Sequence, residues 1–246
     1  MDRRVVIITD ANMHVGPDLA RALAARNHDL VLGEPADGLA AELTGLGSAV
    51  ETVHGVADLS REEAVPTLVE RALSRFGRLD GACVRTGTII GGDIFAASLE
   101  DLHILSEQNI ASVFHALRAL LPPMVDAKQG QVVIVTSATG ARPHPGAALY
   151  SATRAAANML VKNAAHSVAK HGVTVNAIGT NFLDYPGFVK ANGADDPAVR
   201  MQLESRVPLG RLGECAEIAH FCASLLDGGN RFQTGQFFSL SGGWSD

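Results

Sequence analysis

Short apolar runs alternate with stretches of helical period along the whole chain, and this alternation restricts the fold more than any other feature. Strands are expected at about 4–9, 29–33, 50–54, 79–84, 131–136, 173–178 and 236–240. Helices are expected at about 16–27, 37–46, 61–76, 98–127, 147–171 and 213–226, the fourth interrupted at Pro122-Pro123 because proline removes an internal helical hydrogen bond. Such a pattern implies a parallel sheet covered by helices on both faces, joined by right-handed crossovers. The 246 residues, 47% of them hydrophobic and 19% charged, can bury one full core, so the fold class is α/β and 1–246 reads as a single three-layer α/β/α domain with a seven-stranded parallel sheet.

In these sheets ligands bind beyond the carboxyl ends of the strands. Thr9, Ser137 and Gly179 each follow a strand end, so their loops are expected to converge on one crevice. The stretch 179–208 is the longest between regular elements and carries Phe182, Tyr185, Pro186 and Phe188, then a short helix over 196–206. Long loops at this edge are commonly binding loops, although the same aromatics can equally anchor the loop to the body.

A formal net charge of -6 gives no electrostatic footprint for nucleic acid or anionic membrane. Met1 to Arg4 lead directly into Val5-Val6-Ile7-Ile8, which leaves no room for a signal peptide, and no apolar run reaches membrane-spanning length; a cytoplasmic location is expected. Cys83, Cys215 and Cys222 read as reduced packing residues, and the nine histidines show no metal-ligand spacing.

The chemistry concentrates at Ser137, Tyr150 and Arg154, spaced Ser-x12-Tyr-x3-Arg. Tyr150 and Arg154 are four apart, so on a helix their side chains share a face. A guanidinium beside a phenol favours the phenolate, which makes Tyr150 a candidate general base. Lysine in that slot would suit a nicotinamide enzyme; arginine points elsewhere. The first turn, Thr9-Asp10-Ala11-Asn12-Met13-His14-Val15-Gly16, keeps one glycine of a nucleotide-binding turn, and Gly16 is explained by helix–strand packing alone. Asp10 places a carboxylate where pyrophosphate would lie, at a cost of about 3 kcal/mol per charge pair at roughly 5 Å and an effective dielectric of about 20. His14 adds a bulky ring. Glu34 and Asp58 pull the other way, as a ribose-binding acid and an adenine neighbour, but both also read as turn or cap residues.

Across nearly its whole length the chain resembles the short-chain dehydrogenase/reductase superfamily, whose domain is Rossmann-like. The stretches that carry the resemblance are Thr9 to Gly16, Leu79-Asp80-Gly81, Asn109, Ser137 with Tyr150, Val175-Asn176-Ala177-Ile178, and Thr234-Gly235-Gln236 through Ser241-Gly242-Gly243. Ser137 and Tyr150 remain, whereas the turn glycines, the lysine and the Pro-Gly after the sixth strand are gone, and Val84-Arg85-Thr86-Gly87 stands where the superfamily has Asn-Asn-Ala-Gly. One offshoot, the halohydrin dehalogenases, is similar in its Ser-Tyr-Arg triad, its Thr-x4-aromatic-x-Gly turn (His14 replacing the usual aromatic) and a loop like Asn181-Phe182-Leu183.

That resemblance implies a cofactor-independent carbon–halide lyase. Tyr150 would take the hydroxyl proton of a vicinal haloalcohol, Ser137 would orient the oxygen, and the alkoxide would displace halide to close an epoxide. Small anions such as azide, cyanide or nitrite would reopen it. The implied halide and substrate pocket comprises His14, Thr180, Asn181, Phe182, Leu183, Tyr185 and Phe188, with backbone N–H groups around Thr180 to Leu183 facing the anion; His14 reads equally as a structural turn residue. The partners implied are haloalcohol or epoxide, halide, and further copies of the chain in a homotetramer built on helices 98–127 and 147–171. Two other readings stand beside it: an NAD(P)-dependent short-chain oxidoreductase with a divergent cofactor turn, and a catalytically silent relative acting as a binding subunit. Asn109 resembles the dehydrogenase side and otherwise reads as a satisfier of a helix bend. Trp244 either seals its own pocket or reaches a neighbour's.

Overall fold

The computed structural model describes residues 3–245; Met1 and Asp2, on which the leader expectation partly rests, lie outside them. Seven parallel strands form the sheet: β1 (Arg4–Ile8), β2 (His28–Gly33), β3 (Val50–Val53), β4 (Gly81–Arg85), β5 (Gly130–Ser137), β6 (Val173–Thr180) and, at the far edge, a strand at Phe237–Leu240, in the order β3-β2-β1-β4-β5-β6 and then that edge strand. The helices are α1 (Gly16–Ala24), α2 (Leu39–Gly45), α3 (Ala64–Phe76), α4 (Leu99–Ser106), α5 (Ser112–Asp126), α6 (Ala148–Val168), α7 (Pro186–Asn192), α8 (Pro197–Glu204) and α9 (Cys215–Leu226). A two-residue ribbon pairs β7 (Leu183–Asp184) with β8 (Gly213–Glu214), and the edge strand of the main sheet is β9 (Phe237–Leu240).

Period-two alternation divides the core into two layers. Val5 and Ile7 of β1 join α3, α5 and α6 on one face, while Val6 and Ile8 join α1, α2 and α9 on the other. The central strands β5 and β6 are buried at every position, which is why their sequences read as nearly continuous apolar runs. The chain winds outward from β1 to β3, then restarts at β4 on the opposite side of β1. Loops after β1 and β4 therefore diverge and open a crevice at the switch point.

Three local expectations are corrected. Helix α5 runs through Pro122 and Pro123, because Leu120 and Met124 pin it to the core while Arg118 and Pro122 lie on its exposed face. The interruption lies earlier, in a π-helical turn at Glu107–Ala111 between α4 and α5. Finally, 179–208 is more regular than expected: β6 extends to Thr180, and α7 starts at Pro186, a residue the first turn of a helix accepts.

Candidate active site

Ser137 ends β5 and opens a single 3-10 turn over Ala138–Ala141. Its Oγ accepts from Thr139 N (3.2 Å) and Thr139 Oγ1 (2.9 Å) and donates to the Thr180 carbonyl at 3.5 Å. The hydroxyl is thus fixed by its own turn and by the neighbouring strand. Helix α6 buries Tyr150, Thr153, Arg154, Ala157, Asn158 and Val161, a three-and-four spacing that turns one face onto the sheet.

Arg154 is 3% exposed, and its Cζ lies 5.2 Å from the Tyr150 ring centroid. The guanidinium donates to Thr86 Oγ1 (3.2 Å) and to the Thr86 carbonyl (2.7 Å), while its buried Nε has no partner. Among the described residues no carboxylate comes within ion-pair distance of it. A buried cation without a counter-ion is costly, so its field is available to stabilise negative charge forming on the Tyr150 oxygen or on a ligand beside it. Gly87, at φ +93°, makes the approach possible: a Cβ there would overlap Asn109 Oδ1 and the Arg154 guanidinium. Asn109, fully buried in the π-helical turn, accepts from Thr88 N (3.0 Å) and donates to Thr153 Oγ1 (3.0 Å), which in turn donates to the Tyr150 carbonyl (3.0 Å).

All ten site residues named from the sequence line one cavity of about 630 Å³. Also lining it, and not anticipated, are Arg85, Thr86, Thr139, His144 and Arg206. His14 sits at φ +53° with its ring edge-on to Tyr185, centroids 5.0 Å apart, and its buried Nδ1 has no partner. Burial, reinforced by the nearby Arg85 charge, pushes its pKa down to about 3. The ring is therefore neutral at ordinary pH and has no imidazolium proton to deliver. Phe182, at φ +51°, is wedged between Phe188 (centroids 6.1 Å) and Trp244 (5.7 Å), both edge-on. Trp244 is held by Arg142, whose Cζ lies 4.8 Å over its ring, and packs against Phe182 within its own chain.

The first turn departs most from expectation. Asp10 is not a free carboxylate: Arg85 reaches across from the end of β4 to pair with it and also donates to Met13 Sδ at 3.0 Å. The pair is neutral as a unit, which removes the repulsion assigned to Asp10. Glu34 accepts from Val56 N at 2.7 Å, closing the loop after β3, and Asp58 accepts from Ser60 N (3.1 Å) and Gln108 Nε2 (3.2 Å). Both act as turn residues. The three cysteines are free and buried, and among the described residues no cluster of three or more metal-ligating side chains occurs. No helix in the described residues is long and apolar enough to cross a membrane.

Comparison with known proteins adds the remaining information. A family model described as "Enoyl-(Acyl carrier protein) reductase" matches residues 11–245. The "Oxidoreductase UcpA" of Salmonella typhimurium is 30% identical over 248 residues, covering 98% of this chain and 94% of that one. The "3-oxoacyl-[acyl-carrier-protein] reductase FabG" of Staphylococcus epidermidis is 26% identical over 244 residues, covering 96% and 97%. A gluconate 5-dehydrogenase from Burkholderia cenocepacia, solved with NADP and tartrate, superposes with a TM-score of 0.87 at 25% identity, over 100% of this chain and 96% of that one. Full-length similarity to reductases and dehydrogenases overturns the expected haloalcohol-to-epoxide lyase activity and its reverse opening by azide, cyanide or nitrite. The physical reason is that Ser-x12-Tyr-x3-Arg specifies how a proton is handled and leaves open which bond breaks next.

Proposed function

This chain belongs to the short-chain dehydrogenase/reductase superfamily, and from that premise we propose that it is an oxidoreductase interconverting a hydroxyl and a carbonyl on a small, largely apolar substrate. The observation that carries the reading is Tyr150 beneath the unpaired Arg154 guanidinium, on the wall of the cavity that Ser137 also lines. In the reductive direction Tyr150 gives its hydroxyl proton to the substrate oxygen; in the oxidative direction it takes that proton back. Ser137, held by Thr139, turns its hydroxyl from the Thr180 carbonyl to the same oxygen. Arg154 offsets the negative charge that proton transfer leaves on the phenol. Asn109 and Thr153 position the helical turn that presents Tyr150.

The crevice fits a nicotinamide dinucleotide, which when bound supplies or accepts the hydride. Helix α1 has no side-chain cap at its N-cap Val15; Gly16 N donates to the Met13 carbonyl and Pro17 has no N–H, which leaves the Asp18 N–H of the first turn for an anion, and Arg85 lies against the same turn. A second cavity of about 210 Å³, lined by Glu34, Ala57, Leu59 and Gln108, shares Arg85 and Gly87 with the first. Arg85 and the α1 turn would hold the phosphates, and Ala57 and Leu59 the adenine end. Arg154 differs from the superfamily's lysine in being committed to Thr86.

Titration with NADPH and NADH, followed by nicotinamide fluorescence, tests the reading. Micromolar binding is expected, together with ketone-dependent oxidation of the bound cofactor that falls at least about 100-fold in Tyr150→Phe. Failure to bind either dinucleotide overturns it. For assembly, a homotetramer is supported by apolar groups left outside the fold: Phe114 on α5 is 47% exposed and Met159 on α6 56%. Ala152 and Ala155 face outward on α6, where a neighbour can approach closely.

A further inference from the structure

Behind the binding loop lies a separate apolar cavity of about 270 Å³, walled by Phe182, Leu183, Val207, Ile218, Phe221 and Leu240. It shares Asn181, Phe182 and Leu183 with the catalytic cavity, so these three residues are the partition between the two spaces. The partition is unusual in its backbone. Phe182 adopts φ +51°, a left-handed conformation that is sterically unfavourable for a bulky side chain. Such strain persists only where the surroundings impose it, and it concentrates at working sites. Here Phe188 and Trp244 clamp the ring edge-on from two directions. Beside it, the buried Asn181 Nδ2 has no hydrogen-bond partner. An adjoining apolar space, a strained aromatic door and an unused donor at the junction are what a site needs to admit one arm of a molecule whose polar end reacts at Tyr150.

We infer that the rear cavity receives the non-reacting apolar arm of the substrate, and that Phe182 determines which arms are admitted. The space holds about nine heavy atoms at the roughly 30 Å³ that a water molecule takes in the liquid. The substrate class is therefore an alcohol or ketone that carries an apolar arm of up to about that size, reacting at one end and buried along the other. Leu183, Ile218 and Phe221 offer that arm only dispersion and dehydration, so selectivity is by length and girth.

This inference rests on the oxidoreductase reading for its choice of ketones as probes. Trp244 is the only tryptophan in the chain and touches Phe182, so its emission reports on the door. Methyl ketones from 2-butanone to 2-decanone would be titrated against the full chain, with and without NADP+, following that emission. Affinity is expected to rise about fourfold per methylene and then level off at a chain length that fills the rear cavity. Val207→Phe, which narrows the cavity from its far wall, should bring the plateau at least about two carbons earlier. Phe182→Ala should admit 4-phenyl-2-butanone more tightly than wild type does. An affinity series unaffected by Val207→Phe, or no dependence on chain length in wild type, overturns the inference. Dinucleotide titration decides the oxidoreductase reading separately, so the two fail distinguishably; if Phe182→Ala does not fold, the Val207→Phe series decides.

Discussion

At the scale of single residues, His14 links the first turn to the pH dependence of the whole fold. Its folded pKa of about 3 lies far below the ordinary value of 6.5, because burial disfavours the charged ring and Arg85 repels it. The unfolded chain binds a proton below pH 6.5 that the folded chain refuses until about pH 3. Stability is therefore fully present above 6.5 and falls through that window, by up to about 1.4 kcal/mol per pH unit. Urea unfolding between about pH 7 and pH 4 should show a steeper loss in wild type than in His14→Phe, which keeps the ring against Tyr185 and removes the titrating nitrogen. Other residues were legible to different degrees. Ser137, Tyr150 and Arg154 were visible because a helix turns a four-residue spacing into contact. The partner of Asp10 was not, since Arg85 lies 75 residues away and only the sheet brings the two ends together. Reading Asp10 as a free charge, together with the bulk of His14 and the presence of Arg154, made the crevice look closed to a dinucleotide.

At the scale of elements, the π-helical turn between α4 and α5 is tied to its surroundings by one side chain. Asn109, buried within it, accepts from Thr88 N and donates to Thr153 Oγ1. Gly87 is the tightest point of this junction. Gly87→Ala combines a positive φ with overlap onto Asn109 and Arg154, and should cost about 2–4 kcal/mol, read as a lower urea midpoint. An unchanged midpoint would show that the junction relaxes freely. From sequence, the asparagine suggested a helix bend, but the prolines drew the break to the wrong place. Local rules treat proline as a breaker, whereas packing on both sides of Pro122 and Pro123 holds α5 together. The β7–β8 ribbon escaped notice for a related reason. Leu183 pairs with Gly213 thirty residues on, and two residues carry no periodicity of their own.

At the scale of the whole molecule, the outer faces of α5 and α6 expose apolar side chains beside one another. A shallow cavity of about 490 Å³ there is lined by Phe114, Leu117, Leu121, Val125 and Leu160. Phe114→Asp should reduce the particle mass by light scattering from four chains to two or one, with the secondary structure retained; a wild type that is already monomeric would refute the assembly. The architecture itself was readable without coordinates. Strand and helix periods are local properties, and an alternating β-α order leaves few ways to bury both faces of a sheet, so the chain alone determined the seven-stranded three-layer fold and the edge at which the site lies. Tertiary structure alone decided that Arg85 neutralises Asp10, that burial keeps His14 uncharged, and that Phe182, packed on Trp244, stands with Asn181 and Leu183 between two cavities. Those outcomes depend on charge pairing, desolvation and ring packing between segments far apart in the chain, which exist only once the sheet has brought the segments together.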